Sequence, residues 1–143
     1  MILWEVFIII FSETLPTAEE FSSLTNAVGW GIDSKAVVER ALNGSVYTVS
    51  VYDDNKIIGF GRLIGDRAMF LYIQDVMVLP KYQGRQIGTR IIERLIGKIN
   101  ECKRFNPDLR AYLGASKGKE GFYERFGFVT RESAGLGAGM VLF

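Results

Sequence analysis

Residues 69–100, MFLYIQDVMVLPKYQGRQIGTRIIERLIGKIN, constrain the fold more than any other stretch of this chain. They spell an apolar strand, a short basic loop and an amphipathic helix in unbroken succession. Over residues 70–79, Phe70, Tyr72, Val76 and Val78 alternate with Leu71, Ile73, Met77 and Leu79. That spacing predicts a strand apolar on both faces, in the middle of a covered sheet. Gln74 and Asp75 interrupt it, one on each face. Burying either without a partner costs about 1–3 kcal/mol, so each needs a neighbouring strand, a bulge or a part in a site. Pro80 has no N–H for a ladder and stops the strand.

The loop KYQGRQIG follows, and a helix is predicted from about Ile87. Ile87, Ile91 and Leu95 form one ridge, with Ile92, Ile96 and Ile99 beside it; Arg90, Glu93, Arg94 and Lys98 take the wet face. A strand, a glycine-containing basic loop and a helix start together make an anion cradle. The first helical N–H groups lack intrahelical acceptors, and the helix dipole adds partial positive charge. Gly84 and Gly88 let the backbone approach a phosphate, while Lys81, Arg85 and Arg90 add charge. The loop lacks the Gly-Lys-Ser/Thr of a Walker loop and the Gly-x-Gly-x-x-Gly of a dinucleotide site.

A chain of 143 residues is expected to form a single domain, 1–143, with a sizeable core. With 17 basic and 16 acidic side chains, no bulk attraction to nucleic acid or membrane is implied. The absence of histidine removes Ser-His-Asp and Cys-His catalysis and the usual zinc sites, so no metal is expected. One cysteine, Cys102, forms no internal disulfide, which fits a reducing cytoplasm; it is expected to be a packing residue. The apolar start carries Glu5 and no basic flank, so residues 4–12 are expected to be a strand rather than a signal peptide or membrane span.

Thr17-Ala18-Glu19-Glu20 is a capping box for a first helix, and Asp33 or Ser34 caps a second that Asn43-Gly44 closes. Trp30, between Gly29 and Gly31, is expected to anchor the core in preference to forming a lid. Residues 46–52 and 57–64 form a hairpin across Asp53-Asp54-Asn55-Lys56. Gly59 and Gly61 in the return strand imply a bend or a close backbone contact. After the long helix come a strand over 109–115, a short helix over 120–126, a strand starting at 128–130 and a last strand over 140–143. The order is β-α-α-β-β-β-α-β-α-β-β: a mixed α/β (α+β) fold with a central, mostly antiparallel sheet flanked by helices, and one parallel strand–helix–strand unit.

Val76-Met77-Val78-Leu79-Pro80 followed by Gln83-Gly84-Arg85-Gln86-Ile87-Gly88 resembles the signature of the GNAT superfamily of acetyl-CoA-dependent N-acetyltransferases. That signature reads Gln/Arg-x-x-Gly-x-Gly/Ala after a V-x-V-x-P strand. Gln83 and Gly88 match it, and Gln86 stands where the first signature glycine is usual. Gly121-Phe122-Tyr123-Glu124-Arg125-Phe126-Gly127-Phe128 is similar to the family's F-Y-x-x-x-G-F segment. With the element order, the resemblance covers essentially the whole chain.

The resemblance implies transfer of an acetyl group from acetyl-CoA to a primary amine of a small molecule or peptide. It places the pyrophosphate on the loop positions Gly84, Arg85, Gln86, Ile87, Gly88 and Thr89, with Gln83 also in the cofactor-binding set. The pantetheine would pair like an extra strand with Val76, Met77 and Val78, whose amides would hold the thioester carbonyl. Tyr123 matches the general acid that protonates the thiolate. A phenol with a pKa near 10 stays protonated at neutral pH and donates well. Gln74 and Asp75 complete the candidate catalytic set, although Asp75 starts on the far face unless a bulge turns it. Family members often pair through the C-terminal strand, so a homodimer through 140–143 is expected. The other readings are a non-catalytic acyl-CoA-binding or regulatory domain of the same fold, and a module for another phosphate ligand.

Overall fold

The computed structural model describes residues 8–143. Residues 1–7, which include Trp4 of the expected first strand, lie outside the described residues. By its contacts the chain forms two compact units, the first reaching Tyr112 and the second Leu113–Phe143.

The first unit is built on a sheet of strand order β1-β2-β3-β4-β5. Strand β1 is Ile9–Ser12, β2 Tyr47–Asp53, β3 Lys56–Gly65, β4 Phe70–Val78 and β5 Arg110–Leu113. The first four pair antiparallel in sequence. The first residue of β5, Arg110, donates its N–H to the carbonyl of Met69, just ahead of β4 (3.2 Å). The two strands therefore start side by side and run the same way, as a helical crossover between them requires.

Helix α1, Ala18–Ala27, begins where its sequence says it must. The Thr17 hydroxyl accepts from the Glu20 N–H (3.0 Å), and the Glu20 carboxylate accepts from the Thr17 N–H (2.9 Å). Ser34 caps α2, Lys35–Asn43. Helix α3, Ile87–Lys103, buries Ile87, Ile91, Ile92, Leu95 and Ile99. Each such side chain contributes about 1.5–3 kcal/mol of transfer free energy.

The helices lie on opposite faces of the sheet. Phe60 meets Phe21 of α1 edge-on at 5.4 Å, in a cluster with Leu24, Val38, Leu42 and Met77. Its neighbours Gly59 and Gly61 project the other way. A Cβ on Gly61 would lie 2.7 Å from Ile91 Cγ2, and one on Gly59 would lie 3.3 Å from Ile91 Cδ1. The two glycines thus mark a close helix–sheet contact.

Three expectations need correction. First, β4 does not alternate along its length. Its partners in β3 jump from Met77↔Phe60 to Gln74↔Arg62, so Asp75 and Val76 together oppose Gly61. This is a β-bulge, and Asp75 sits in left-handed backbone at φ +56°. Opposed residues share a face, so Met77 joins Gln74 and Phe60, and Val76 turns toward Ile91 with Leu71 and Ile73. Phe70 and Tyr72 therefore do not share a face with Val76 and Val78.

Second, Trp30 is 51% exposed, on a turn with Gly29 and Gly31 at positive φ, and is no core anchor. Third, residues 128–130 and 140–143 form no strand. The Thr130 hydroxyl accepts from the Ser133 N–H, and the Ala134 N–H reaches the Thr130 carbonyl, so the chain turns there. Residues 140–143 are exposed to solvent, Met140 to 98%. The short helix of this second unit, α4, is Glu120–Glu124; it ends before Phe126, and Gly127 takes φ +92°.

Candidate functional site

Between β4 and α3 the chain makes a single 3₁₀ turn, Pro80–Tyr82, then the loop to Gln86. Three side chains fix this loop. Tyr82 is buried, and its hydroxyl donates to Asp53 at the β2–β3 turn. The guanidinium of Arg85 and the ammonium of Lys81 lie over the Tyr82 ring, at 5.5 and 5.8 Å. Gln83 reaches back, its Nε2 donating to the Val78 carbonyl at the end of β4 (3.1 Å).

Gln86 is the N-cap of α3 and sits at φ +61°, ψ +17°. That left-handed region costs a residue with a Cβ about 1–2 kcal/mol and favours glycine. Glycine is the residue that tolerates this backbone most readily, and this chain adopts it with glutamine. Gly84, also left-handed at φ +78°, has open space where a Cβ would point. Helical bonding begins with the Arg90 N–H on the Gln86 carbonyl (3.0 Å). The amides of Ile87 and Gly88 therefore have no intrahelical acceptor and point out of the helix start. Donors, open glycine and helix dipole fit a phosphate-bearing ligand. Further along α3, Arg90 and Arg94 stack over the Phe11 ring at 4.2 and 4.7 Å.

At the other end of the site lies the β4 bulge. The Asp75 carboxylate accepts from Arg62 Nε (2.7 Å) and from Gln74 Nε2 (3.2 Å). Because Arg62 and Gln74 share the α1–α2 face, the bulge has turned Asp75 onto that face too. The Arg62 Nη1 also donates to the Ala41 carbonyl in α2 (3.0 Å) and to Ser45 Oγ (3.3 Å). Sequence inspection missed Arg62 and Tyr82. The signal for the first was a lone arginine inside the apolar run of β3.

Tyr123 lies on α4 in the second unit, half-buried, with Phe122 edge-on at 5.1 Å and Phe128 at 6.3 Å. Burial raises its hydroxyl above the ordinary phenol value. A cavity of about 280 Å³ opens elsewhere, between Leu15–Pro16 and Lys35, Glu39 and Leu42; none of the expected site residues lines it. Among the described residues no cluster of acidic or thiol side chains has the makings of a metal site, and no helix is long and apolar enough to cross a membrane.

The sequence profile of the acetyltransferase (GNAT) domain matches residues 18–143. This chain belongs to the GNAT acetyltransferase family. A relative from Gracilaria tenuistipitata var. liui, named an uncharacterized N-acetyltransferase, is 29% identical over 115 residues, covering 78% of this chain and 61% of the relative. The chain thus spans about three fifths of the length of the curated relatives it matches. A solved Staphylococcus aureus protein, described as a probable acetyltransferase, superposes with a TM-score of 0.86 at 28% identity, covering 95% of this chain and 99% of that one. The fold is shared with an aminoglycoside 6'-N-acetyltransferase complexed with coenzyme A (TM-score 0.57, 23% identity, 65% of this chain and 56% of that one). The mixed α/β fold with a mostly antiparallel sheet is therefore the GNAT fold.

Proposed function

We propose that this GNAT chain transfers the acetyl group of acetyl-CoA to a primary amine of a small molecule or peptide. The observation that carries this is the pairing of an anion-ready helix start, at Gln86 to Gly88, with a bulged strand end at Asp75 to Val78. The loop positions Gly84, Arg85, Gln86, Ile87, Gly88 and Thr89 would hold the pyrophosphate, with Gln83 tying the loop to β4. The backbone of Val76, Met77 and Val78 would pair with the pantetheine and donate to the thioester carbonyl, where negative charge develops.

The amine nitrogen forms a bond to the carbonyl carbon, the C–S bond breaks, and the ammonium proton leaves to solvent. Tyr123 gives the departing sulfur its proton and regains one from solvent; burial, which keeps the phenol neutral, suits that task. Gln74 and Asp75 share the α1–α2 face with Arg62 and would border the acceptor amine. We also place the protein in the cytoplasm, on the single unpaired cysteine. Pairing of two copies through the exposed apolar residues 140–143, which form no strand, belongs to the same proposal. Light scattering that finds a monomer at micromolar concentration overturns that pairing.

Thermal denaturation with acetyl-CoA, CoA and ATP tests the ligand class. The CoA species should raise the midpoint and ATP should not. Equal stabilisation by ATP favours a general phosphate module and overturns the proposal. Release of free thiol across a panel of amines then separates an enzyme from an acyl-CoA-binding domain.

A further inference from the structure

We propose that Asp75 serves the transfer as a positioning residue, acting through the backbone of the β4 bulge, and that Arg62 is the residue that locks it in place. This rests on the reading of residues 76–78 as the thioester-holding stretch.

The geometry starts from parity. In a strand, a slip of one residue moves every later side chain to the opposite face. Without the bulge, Val76 and Val78 would turn to the α1–α2 face, and Met77 would leave Phe60 for α3. The amides that follow would reverse direction with them. The bulge therefore decides which way the N–H groups of Val76, Met77 and Val78 point. Holding it requires Asp75 at φ +56°, a conformation that few residues other than glycine, asparagine and aspartate accept.

The carboxylate then secures what the backbone permits. Both of its oxygens are engaged, one by Arg62 and the other by Gln74. The Arg62 and Asp75 side chains are only 12% and 14% exposed, so water screens their attraction weakly. Arg62 is itself anchored at its other end to Ala41 and Ser45. The bulge is thus tied to the end of α2 rather than left to the local strand. A relaxed bulge would also swing the Asp75 carboxylate toward Ile91 and Leu95, the apolar side chains that crowd Gly61. A carboxylate already held by a guanidinium and an amide is engaged in structure, which separates this role from proton acceptance.

Steady-state kinetics on the full chain test the clamp, with circular dichroism as the check on folding. Asp75→Leu removes the carboxylate and tolerates the left-handed backbone poorly; Arg62→Met removes the lock. Each should lower kcat about 100-fold, the usual cost of a small misplacement, with a smaller change in KM for acetyl-CoA. Asp75→Asn accepts the same backbone and still offers Oδ1 to Arg62, so it should recover kcat to within about tenfold of the parent. If Leu and Met variants fail to fold, Arg62→Lys decides, because it keeps the charge and loses the fork. An appreciable fall in its kcat supports the clamp, and an unchanged kcat overturns it. Equal losses in Asp75→Asn and Asp75→Leu overturn the proposal in favour of a proton-accepting Asp75. Folded Leu and Met variants with parental kcat overturn it as well. A parent protein that binds CoA and releases no thiol with any amine overturns the transfer reading, and the clamp with it.

Discussion

Helices α3 and α4 each follow a loop that contains glycine, and each carries a segment of the family signature, yet they are made differently. The 17 residues of α3 bury five branched apolar side chains against the sheet. The five residues of α4 bury none. The contrast extends to their units: every buried side chain belongs to residues up to Tyr112, and residues 113–143 hold only half-buried and exposed ones. Such a division separates residues held by a packed core from residues that are not. Under the proposed function, substitutions at the loop and helix start of the first unit should disturb binding or stability, while Tyr123 of the second, like the Arg62–Asp75 clamp of the first, should act on the chemical step.

The largest expected effect falls in the second unit. Tyr123→Phe keeps the ring that packs on Phe122 and removes the proton donor, so kcat should drop about 10²–10⁴-fold while acetyl-CoA binding stays close to parental. The raised Tyr123 pKa keeps the phenol protonated as pH climbs, so the alkaline fall in kcat should lie above the ordinary phenol value of about 10 and vanish in the Phe variant. A Phe variant with near-normal kcat removes Tyr123 from the chemistry and breaks the contrast.

Gly88→Glu should come next, with CoA affinity lost by at least about 100-fold, since carboxylate and bulk enter where phosphate should sit. The protein should stay folded, because a carboxylate in the first turn of α3 suits the helix dipole. Calorimetry showing parental CoA affinity in a folded variant would sink the loop assignment.

Gly61→Ala should act on stability instead. Its Cβ would lie 2.7 Å from Ile91 Cγ2, on a branched side chain with little room to move, and overpacking of this kind costs about 1–3 kcal/mol. Urea denaturation measures it, and a stability equal to the parent's would show that α3 shifts freely off β3.

The smallest effect concerns Tyr47, whose pKa is pushed up to about 12 by burial and by the hydrogen bond to Glu13. The unfolded phenol titrates near 10, so the folded state gains stability that is complete below that pH and lost as pH rises toward 12. Tyr47→Phe should flatten that alkaline decline slightly. A decline as steep in the variant as in the parent would assign it to other groups.

What was legible in the sequence follows the same division. Helix α3 could be read from Ile87 to Ile99 because a packed face imposes its period on the residues that fill it. The Thr17–Glu20 box could be read because a cap is a local transaction of hydrogen bonds. Residues 128–130 and 140–143 look like strands by composition, but a strand needs a paired neighbour, and composition does not show one. The bulge was legible only as one of several ways to accommodate Gln74 and Asp75, for a related reason. Its trace in β4 is Gln74-Asp75, which fits a polar interruption equally well, and the deciding partner, Arg62, lies 13 residues earlier. Trp30 is exposed because its two flanking glycines favour a turn, and an aromatic ring does not by itself require burial.

Gln86 carries a consequence in the thermodynamics of ligand capture. A glycine at this left-handed position would leave the unbound loop many conformations to explore, and ordering it would weigh against association. Glutamine roams over fewer of them, and the fold already holds it in a sparsely populated one. If the loop holds a phosphate as proposed, it would meet that ligand with much of its conformational freedom already surrendered during folding. Capture should show a smaller entropic penalty than in a relative with glycine there, and its rate should depend little on loop rearrangement.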